Sequence, residues 1–586
     1  MPEIPRLADV TDAAKIDAGY LWSAFAKGDQ HFAVWATAHG ARAVFEAPIA
    51  LFDARSCYPA PNSLVYGHPL LTFGLLGAPA YWLTRDPVAT YNLALLVSAL
   101  AAAFAMALLV QDWTGRGAAA LVAGLLFAFH GAKLGDAVHA YLLDTSWAVF
   151  ALFFARRFFV DGRLRDAIGG ALAVSLLIGG SFYSLLASCL VGIPMLAWLI
   201  GAHGLRAIRP GPLIVFLAFV GATTAVIMGP YLGLQQSGES LEHSLKLYRS
   251  WSRFVPGAWL GWTPLALALA ALALRGGGLR EGIRGDPRPF LIGAGLIGAW
   301  FATGGNVNAQ AAAAQASETS LALPNPYAGL AALLPGLSSV RVPALLESSI
   351  HLSVSLLAGL GAAALLARVP ERFARQAGVA LVVAVWLVVV RPAALGFSPA
   401  VAFEPLQIRP NAALLEFYAT LEREGDTGPV LEVSNFSSRL PTLSVVRASE
   451  YQLLASYHGR RTSGCYNSHT PEVADEVSRL VRLAPNPAAI DRIYELGFRT
   501  LIVHYGDSLG RSSRRFARVA AEPGSRLERL HADDARTAYR IRRTALGPAK
   551  ERAGRGSKKR NPCSSRSSTT RTAPSPTRMS RRLCGP

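Results

Sequence analysis

Charged residues are scarce in this sequence, and their scarcity excludes an ordinary soluble globular protein. They make up 16% of the 586 positions, against 52% hydrophobic residues, and the mean hydropathy is +0.31. Soluble domains usually carry about 25% charged residues. The charges are also unevenly spread, because residues 88–110 contain none. About 20 apolar residues are enough for a helix to cross the hydrocarbon core, so this composition predicts a polytopic membrane protein.

Cysteine is equally scarce, and its spacing excludes the usual zinc and redox motifs. The five cysteines include no CxxC pair, and we therefore expect no zinc or redox centre. Cys57 and Cys465 both fall on the side assigned below as external. A disulfide between them is permitted there, but nothing in the sequence indicates one.

Ten apolar runs predict membrane-spanning helices. They lie at about 88–110, 117–134, 140–158, 168–184, 185–201, 213–232, 258–274, 289–303, 349–367 and 376–390. The stretch 168–201 is long enough for two short spans, with a break at Gly179-Gly180 or at Ser184. Residues 69–83 contain Pro79 and are too short to span, so we interpret them as interfacial or re-entrant.

Positive charge in the loops predicts the orientation of these helices. The loops 111–116, 155–166, 202–212, 275–288 and 368–375 carry 14 Lys or Arg, against five in the opposite loops. Because cytoplasmic loops are enriched in Lys and Arg, residues 1–87 are expected to form a first external loop that contains the re-entrant segment, and the part after 391 is also expected outside. Residues 1–20 contain no apolar signal segment. An external start without a signal is unusual, so we expect that a first spanning helix belongs just before Ile16 and is missing from this chain.

Residues 391–545 predict a small α/β domain on the external side. Runs rich in β-formers lie at 430–433, 443–447, 500–504 and 538–542, and helical patterns lie at 471–483 and 486–496. The domain contains no Gly-rich phosphate loop and no nucleophile elbow. The predicted fold class is therefore an α-helical polytopic membrane protein with a small C-terminal α/β soluble domain.

Residues 546–586 form a basic tail rich in Ser, Thr, Pro and Arg, a composition that predicts disorder. Such a tail is either an arm attracted to anionic lipid or nucleic acid, or a segment with no specific role. We prefer the second interpretation, so no specific nucleic-acid partner is expected.

Asp29 is the leading candidate for chemistry in the first external stretch. A carboxylate at the membrane surface could act as a general base that deprotonates an acceptor hydroxyl. It could instead bind a divalent cation, Mg²⁺ or Mn²⁺, that offsets phosphate charge. The alternative without function is a solvated or capping residue beside a helix end.

Other polar residues lie in the external loops. Asp53 and His68 follow in the first stretch, and the next loop holds Asp136 and His139, with Asp144 close behind. An ionisable residue at membrane depth is a functional candidate by default, which applies to Asp144. Arg341 is the only basic residue of the loop 304–348. Its side chain could grip a lipid phosphate or simply extend to the headgroups.

Spaced single residues along the chain resemble a known group of proteins. They comprise Gly28-Asp29, Trp35, Pro48, Phe52-Asp53, Tyr58-Pro59, Ser63, His68, Asn92, Arg341-Val342-Pro343, Tyr451 to Gly464 and Leu496 to His504. Together they resemble bacterial membrane proteins of the glycosyltransferase-C superfamily. The resemblance implies transfer of a sugar from a polyprenyl-phosphate donor to a lipid, glycan or protein acceptor on the external leaflet. It implies that Asp29 is the base and that Asp53, His68, Asp136 and His139 belong to the site.

Two other classes of protein stay open at this stage. A lipid or solute transporter would hold its substrate near the midplane between internal repeats. No repeat is visible, and the ionisable residues lie at helix ends, which favours an enzyme. A non-catalytic membrane assembly protein of the same fold would tolerate the loss of Asp29. An amino-acid composition rich in Ala, Arg and Gly is typical of a bacterium with a GC-rich genome. We therefore expect the protein in the inner membrane, with its external face towards the periplasm. Membrane lipids are then expected partners.

Overall fold

The computed structural model describes residues 18–129, 138–236, 260–274, 279–280, 284–303, 342–390, 406–408, 410–433, 441–505 and 511–543. Over these residues the chain is mostly helical, with one four-stranded sheet near its C-terminal end. The chain up to Arg542 forms one compact unit, and residues 543–586 fall in a second unit. The predicted basic tail lies outside the described residues.

Twelve helices lie before residue 391 in the described part of the chain. In chain order they are α1 (Ala18–Glu46), α2 (Leu71–Thr84), α3 (Pro87–Thr114), α4 (Gly117–Ala128), α5 (Ser146–Asp161), α6 (Leu164–Ile178), α7 (Phe182–His203), α8 (Pro210–Gln236), α9 (Trp262–Ala273), α10 (Arg288–Thr303), α11 (Ser348–Leu366) and α12 (Glu371–Val390). Short 3₁₀ turns lie at Pro48–Ala50, Ser63–Tyr66, Ala140–Leu142, Leu205–Ala207 and Pro343–Glu347.

Each of the ten predicted apolar runs coincides with a helix, but fewer helices are long and apolar enough to cross a membrane. Five qualify among the described residues: Pro87–Thr114, Phe182–His203, Pro210–Gly233, Pro343–Leu366 and Glu371–Val389. The other five apolar runs form helices of 12 to 16 residues, below the usual length of a span. The predicted break in 168–201 is real, and it falls at Gly179-Gly180, between α6 and α7.

The bundle has one central helix and an apolar outer surface. The Pro343–Leu366 segment has 89% of its apolar window buried, whereas the corresponding windows of α8 and α12 are 6% and 11% buried. Large apolar side chains such as Ile214 and Trp386 stand exposed on the two outer helices. Exposed apolar surface of this extent marks a face that meets another apolar medium, here lipid.

Glycines allow the inner helices to touch backbone to backbone. A Cβ added at Gly361 of α11 would overlap the carbonyl oxygen of Leu267 on α9. A Cβ at Gly124 of α4 would lie 2.6 Å from the carbonyl oxygen of Ala103 on α3. Small residues at helix crossings are the usual means by which membrane helices approach closely.

The first described stretch is a long helix, so the prediction of a loop over these residues is wrong. Helix α1 has 29 residues, and residues 31–41 are buried on every side because α2, α3 and α14 (Pro441–His458) pack around it. Polar residues within Gly28-Asp29-Gln30-His31 interrupt the apolar run, so hydropathy did not predict this helix. Residues 69–83 do form a helix, α2, with Pro79 inside it.

The C-terminal sheet is sandwiched between two layers of helices. Its strands β1 (Val430–Val433), β2 (Thr500–His504), β3 (Leu527–Ala532) and β4 (Arg536–Ile541) lie in the order β1-β2-β4-β3, and only the β1–β2 pair is parallel. Successive residues of a strand face opposite sides. Leu501 and Val503 therefore join the core shared with α15 (Glu472–Leu483), α16 (Pro487–Glu495) and α17 (Arg511–Ala521), while Ile502 faces α13 (Ala412–Arg423) and α14.

Three of the four predicted strands coincide with β1, β2 and β4, but the prediction for residues 443–447 is wrong. These residues lie inside α14. The run Leu-Ser-Val-Val-Arg favours a strand locally, but Pro441 suits the first turn of a helix, and packing against α1 decides the outcome. Strand β3, with the sequence LERLHA, was missed because charged residues break its apolar pattern.

Candidate functional site

Asp29 lies within α1, and both of its carboxylate oxygens have partners. The hydroxyl of Tyr466 donates to Oδ1 over 2.6 Å, and Nε2 of His139 lies 3.2 Å from Oδ2. The side chains of Asp29 and His139 are 36% and 26% exposed. A carboxylate has about four lone-pair directions, so two remain for a substrate hydroxyl. The trio formed by Asp29, His139 and Tyr466 is called the Asp29 site below.

Gly28 makes room for the Asp29 site. A Cβ at this position would lie 2.8 Å from Cζ of Tyr466 and 3.0 Å from its hydroxyl oxygen. Distances this short would force the tyrosine ring away. Gly28 therefore leaves the space in which the ring of Tyr466 lies while its hydroxyl donates to Asp29.

The segment that carries His139 is fastened at several points. The hydroxyl of Tyr91 on α3 donates to the carbonyl of Val138 over 3.0 Å. Ser184, in the first turn of α7, donates to the carbonyls of Tyr141 and Leu142. These bonds join α3 and α7 to the segment and fix where His139 stands relative to α1.

Tyr466 is held by the segment 461–469, which runs along the loop that follows α1. A disulfide joins Cys57 to Cys465, although the sequence did not indicate one. Backbone bonds flank it, from Cys57 to Gly464 over 2.8 Å and from Tyr58 to Thr462 over 3.0 Å. The backbone N–H of Tyr466 also donates to the side chain of Gln452 over 2.8 Å. Hence the C-terminal domain supplies Tyr466, one of the three residues of the Asp29 site.

Further contacts join the C-terminal domain to the helices. His31, two positions beyond Asp29, lies with Nδ1 3.0 Å from the hydroxyl of Ser449 on α14. Burial lowers the pKa of His31 to about 4, so this imidazole is neutral near pH 7. Asn92 on α3 exchanges two hydrogen bonds with the backbone of Leu406, at 3.0 and 2.8 Å. The two halves therefore meet through matched polar pairs.

The structure brings together only part of the predicted site. Asp53 forms an ion pair with Arg461 of the C-terminal domain. His68 stands among aromatic rings, with its ring centre 5.4 Å from that of Tyr183 and 6.1 Å from that of Tyr141. Asp136 and Arg341 lie outside the described residues.

Asp144 is buried beside the first turn of α5 rather than facing a substrate. It is 4% exposed. It accepts hydrogen bonds from the hydroxyl of Ser98 over 2.8 Å and from the backbone of Ser146 over 3.1 Å. A carboxylate at the start of a helix is stabilised by the unpaired N–H groups there.

Tyr466 is the member of the site that sequence reasoning missed. Its signal was its position next to Cys465, whose partner Cys57 follows the helix that carries Asp29. A pairing across 408 positions cannot be deduced from spacing alone.

The described residues do not gather a metal-binding set. Among them, no group of three or more His, Cys, Asp or Glu could hold a metal ion. Asp29 is the one carboxylate of the Asp29 site, whereas Mg²⁺ and Mn²⁺ favour several oxygen ligands. The described side chains of the Asp29 site therefore do not by themselves make up a Mg²⁺ or Mn²⁺ site.

Comparisons with known proteins give distant structural likenesses and no family. No protein-family model and no curated protein matches the chain. The structure is similar to ArnT from Cupriavidus metallidurans in the apo state, with a TM-score of 0.39 and 12% identity, over 86% of this chain and 93% of that chain. It is similar to ArnT from the same organism bound to undecaprenyl phosphate, with a TM-score of 0.38 and 13% identity, over 90% and 98%. At TM-scores below 0.5 these likenesses assign neither activity nor substrate.

Proposed function

We propose that this membrane protein is a glycosyltransferase that moves a sugar from a polyprenyl-phosphate donor to an acceptor hydroxyl on the external face. One observation supports this most directly: a partly exposed carboxylate, Asp29, is oriented by a tyrosine and a histidine that come from distant parts of the chain. A solvated or capping residue would need neither partner. The proposed acceptor is the one expected from the sequence: a hydroxyl group of a lipid, a glycan or a protein.

The proposed reaction is a displacement at the anomeric carbon. The acceptor oxygen forms the new bond to that carbon while its proton passes to Asp29. The bond from the anomeric carbon to the phosphate oxygen breaks, and polyprenyl phosphate leaves with both electrons. General-base help of this kind contributes typically about 10²- to 10⁴-fold to a rate.

Tyr466 and His139 act as positioning residues in this scheme. Each bonds one carboxylate oxygen, so together they fix the plane and the rotamer of Asp29. A base that is already held in the reactive geometry lowers the entropic part of the activation free energy. No step passes through a metal ion, because the described side chains of the site offer a single carboxylate.

The surroundings of the site suit a lipid-linked donor. The helices Pro87–Thr114 and Phe182–His203 are long enough to cross a membrane, and both help to fasten the His139 segment. Next to that segment, the ring of His68 packs against the buried rings of Tyr141 and Tyr183.

The test is transfer from a panel of radiolabelled polyprenyl-phosphate sugars by the purified full chain reconstituted in membranes. Asp29→Asn keeps the size of the side chain but removes its basicity. We expect transfer by the wild type and a loss of about 10²-fold or more in Asp29→Asn. Asp112→Asn is a matched control, because Asp112 pairs with Arg156 at the opposite end of α3 from Asn92.

Each outcome decides between the classes of protein. Transfer that survives in Asp29→Asn would keep the enzyme but remove Asp29 as its base. No transfer with any donor, by a protein that elutes as one folded species, would favour a transporter or a non-catalytic assembly protein.

A further inference from the structure

A cavity lies away from the Asp29 site, between the end of α1, the loop that follows α1 and the C-terminal domain. Its volume is about 600 Å³, within the range of about 300–1,000 Å³ that is typical of small-molecule sites. Arg42 on α1 lies 13 positions beyond Asp29, so the rise of a helix puts the two about 20 Å apart. The cavity is therefore not part of the Asp29 site.

Four arginines line this cavity: Arg42, Arg55, Arg460 and Arg461. Two of them have carboxylate partners. Arg460 is paired with Asp426 over 2.6 Å, and Arg461 is paired with Asp53. These two pairs leave the charge of the wall to be set by Arg42 and Arg55.

Arg42 and Arg55 have no carboxylate partner among the described residues. Nη2 of Arg42 reaches only Nδ1 of His39, at 3.4 Å. The guanidinium of half-buried Arg55 makes no hydrogen bond or ion pair with any described side chain. The remaining carboxylate of the lining, Glu422, is exposed and is outnumbered by the two cations.

The guanidinium of Arg55 is held close to the C-terminal domain. The backbone carbonyl of Arg55 accepts a hydrogen bond from Thr462 over 3.0 Å. A Cβ at Gly459 would lie 3.0 Å from Nη1 of Arg55, and the φ of Gly459 is +70°. Burial is the largest cause that lowers the pKa of Arg55, and the neighbouring Arg42 adds to it, while Tyr81 and Glu46 oppose the shift.

Two buried hydrogen-bond donors in the same wall also lack partners. Arg460 is 7% exposed, and its Nη1 bonds no described group. Nδ1 of His458 accepts from the backbone N–H of Arg460 over 3.1 Å, so the proton of the neutral ring is on Nε2. That Nε2 is buried and has no partner among the described residues. Unsatisfied buried donors of this kind are costly and call for an acceptor.

We propose that this cavity binds an oxyanion-bearing ligand of the phosphate or pyrophosphate class, held by Arg42 and Arg55. Arginine forks match phosphate oxygens in pairs, and Arg460 Nη1 and His458 Nε2–H lie in the same wall. The ligand is either a free anion or the headgroup of an anionic lipid. The proposal does not depend on sugar transfer, because it rests on this cavity alone.

Calorimetric titration of the full chain with inorganic pyrophosphate in detergent tests the proposal. We expect saturable binding that weakens as salt is added. Arg55→Gln and Arg42→Gln should each weaken binding by about tenfold to a hundredfold, which is the usual size of a lost charged hydrogen bond. Arg423→Gln is the control, since Arg423 is exposed, pairs with Glu416 and lies outside the cavity.

A second arm separates the two sources of the anion. The same proteins are placed in nanodiscs of phosphatidylcholine, with or without phosphatidylglycerol. Stabilisation by phosphatidylglycerol that Arg55→Gln abolishes would assign a lipid headgroup, and pyrophosphate binding alone would assign a free anion. Arg55→Lys, which keeps the charge, should retain part of the binding and so separates a lost contact from a lost fold. Absence of binding in both arms, or equal binding by wild type, Arg42→Gln and Arg55→Gln, would overturn the proposal.

Discussion

At the scale of single residues, the position of Tyr466 against Asp29 depends on Gly28, which has no side chain. Gly28 leaves a gap into which the tyrosine ring fits, and the ring then donates to the aspartate. One methyl group at position 28 is enough to disturb this arrangement. The chemistry of the site is therefore sensitive to a residue that has no chemistry of its own.

Gly28→Ala is expected to lower sugar transfer by about tenfold or more while the protein stays folded. The new Cβ would lie 2.8 Å from the Tyr466 ring, so the ring must move and its bond to Asp29 lengthens. A displacement of about 1 Å can cost up to about 10²-fold in rate. The measurement is the transfer rate beside that of Gly192→Ala, a helical glycine with nothing within 4 Å. Equal rates for the two variants would mean that Tyr466 does not position the base.

Acid is expected to destabilise the protein in part through His458. Burial lowers its pKa from 6.5 to about 3, so the unfolded chain takes up a proton at a pH where the folded chain does not. The stabilisation is complete above pH 6.5 and is lost as the pH falls towards 3. By linkage, one such histidine removes about 2 kcal/mol between pH 7 and pH 5.

Denaturant unfolding of the full chain in detergent, at pH 7 and at pH 5, measures this effect. His458→Gln should lose about 2 kcal/mol less stability than the wild type over that interval. His139→Gln serves as the comparison, because His139 is partly exposed. An identical pH dependence for wild type and His458→Gln would show that His458 is already protonated in the folded state.

Sequence reasoning identified some of these residues and not others. Asp29 and His139 were identified because charged and titratable groups stand out near apolar runs. Tyr466 gave no such signal, because a single tyrosine in a soluble segment is ordinary, and its role depends on a fold that brings residues 29 and 466 together. Asp53 has the right residue type, but its carboxylate is taken up by Arg461.

At the scale of helices and strands, close contact between glycine-containing helices defines the bundle. Helix α11 lies at the centre, and Gly361 brings its backbone against α9. The contact excludes any side chain at that position. Packing of small residues replaces the hydrophobic effect, which is weak between helices in lipid.

Gly361→Val is expected to destabilise the bundle by at least about 2 kcal/mol, because overpacking a core already costs about 1–3 kcal/mol and here the obstacle is backbone. The readout is the melting temperature and the yield of monodisperse protein in detergent. Gly293→Val is the control, since Gly293 lies in α10 with nothing within 4 Å. Unchanged melting of Gly361→Val would contradict the close packing of α9 and α11.

Hydropathy found the apolar helices because composition alone marks them. It missed α1, where polar residues interrupt an otherwise apolar face, and it could not show which helices reach the length of a span. The strand predicted at 443–447 failed because neighbouring elements, rather than local preference, decide the structure of that run.

At the scale of the whole molecule, the C-terminal domain completes a site that begins in the first helix. The Cys57–Cys465 disulfide and the backbone bonds beside it place Tyr466 against Asp29. Composition predicted a helical part followed by a small α/β part. The seam between the domains was not predictable, since it joins residues more than 400 positions apart.

A double-mutant cycle on sugar transfer tests most directly whether Asp29 and Tyr466, 437 positions apart, form one functional unit. The rates of wild type, Asp29→Asn, Tyr466→Phe and the double variant are measured with the same donor. Residues that act as a unit give losses that are far from additive. We expect the double variant to be no slower than Asp29→Asn alone. Losses that multiply in the double variant, or full activity in Asp29→Asn, would contradict the proposed site.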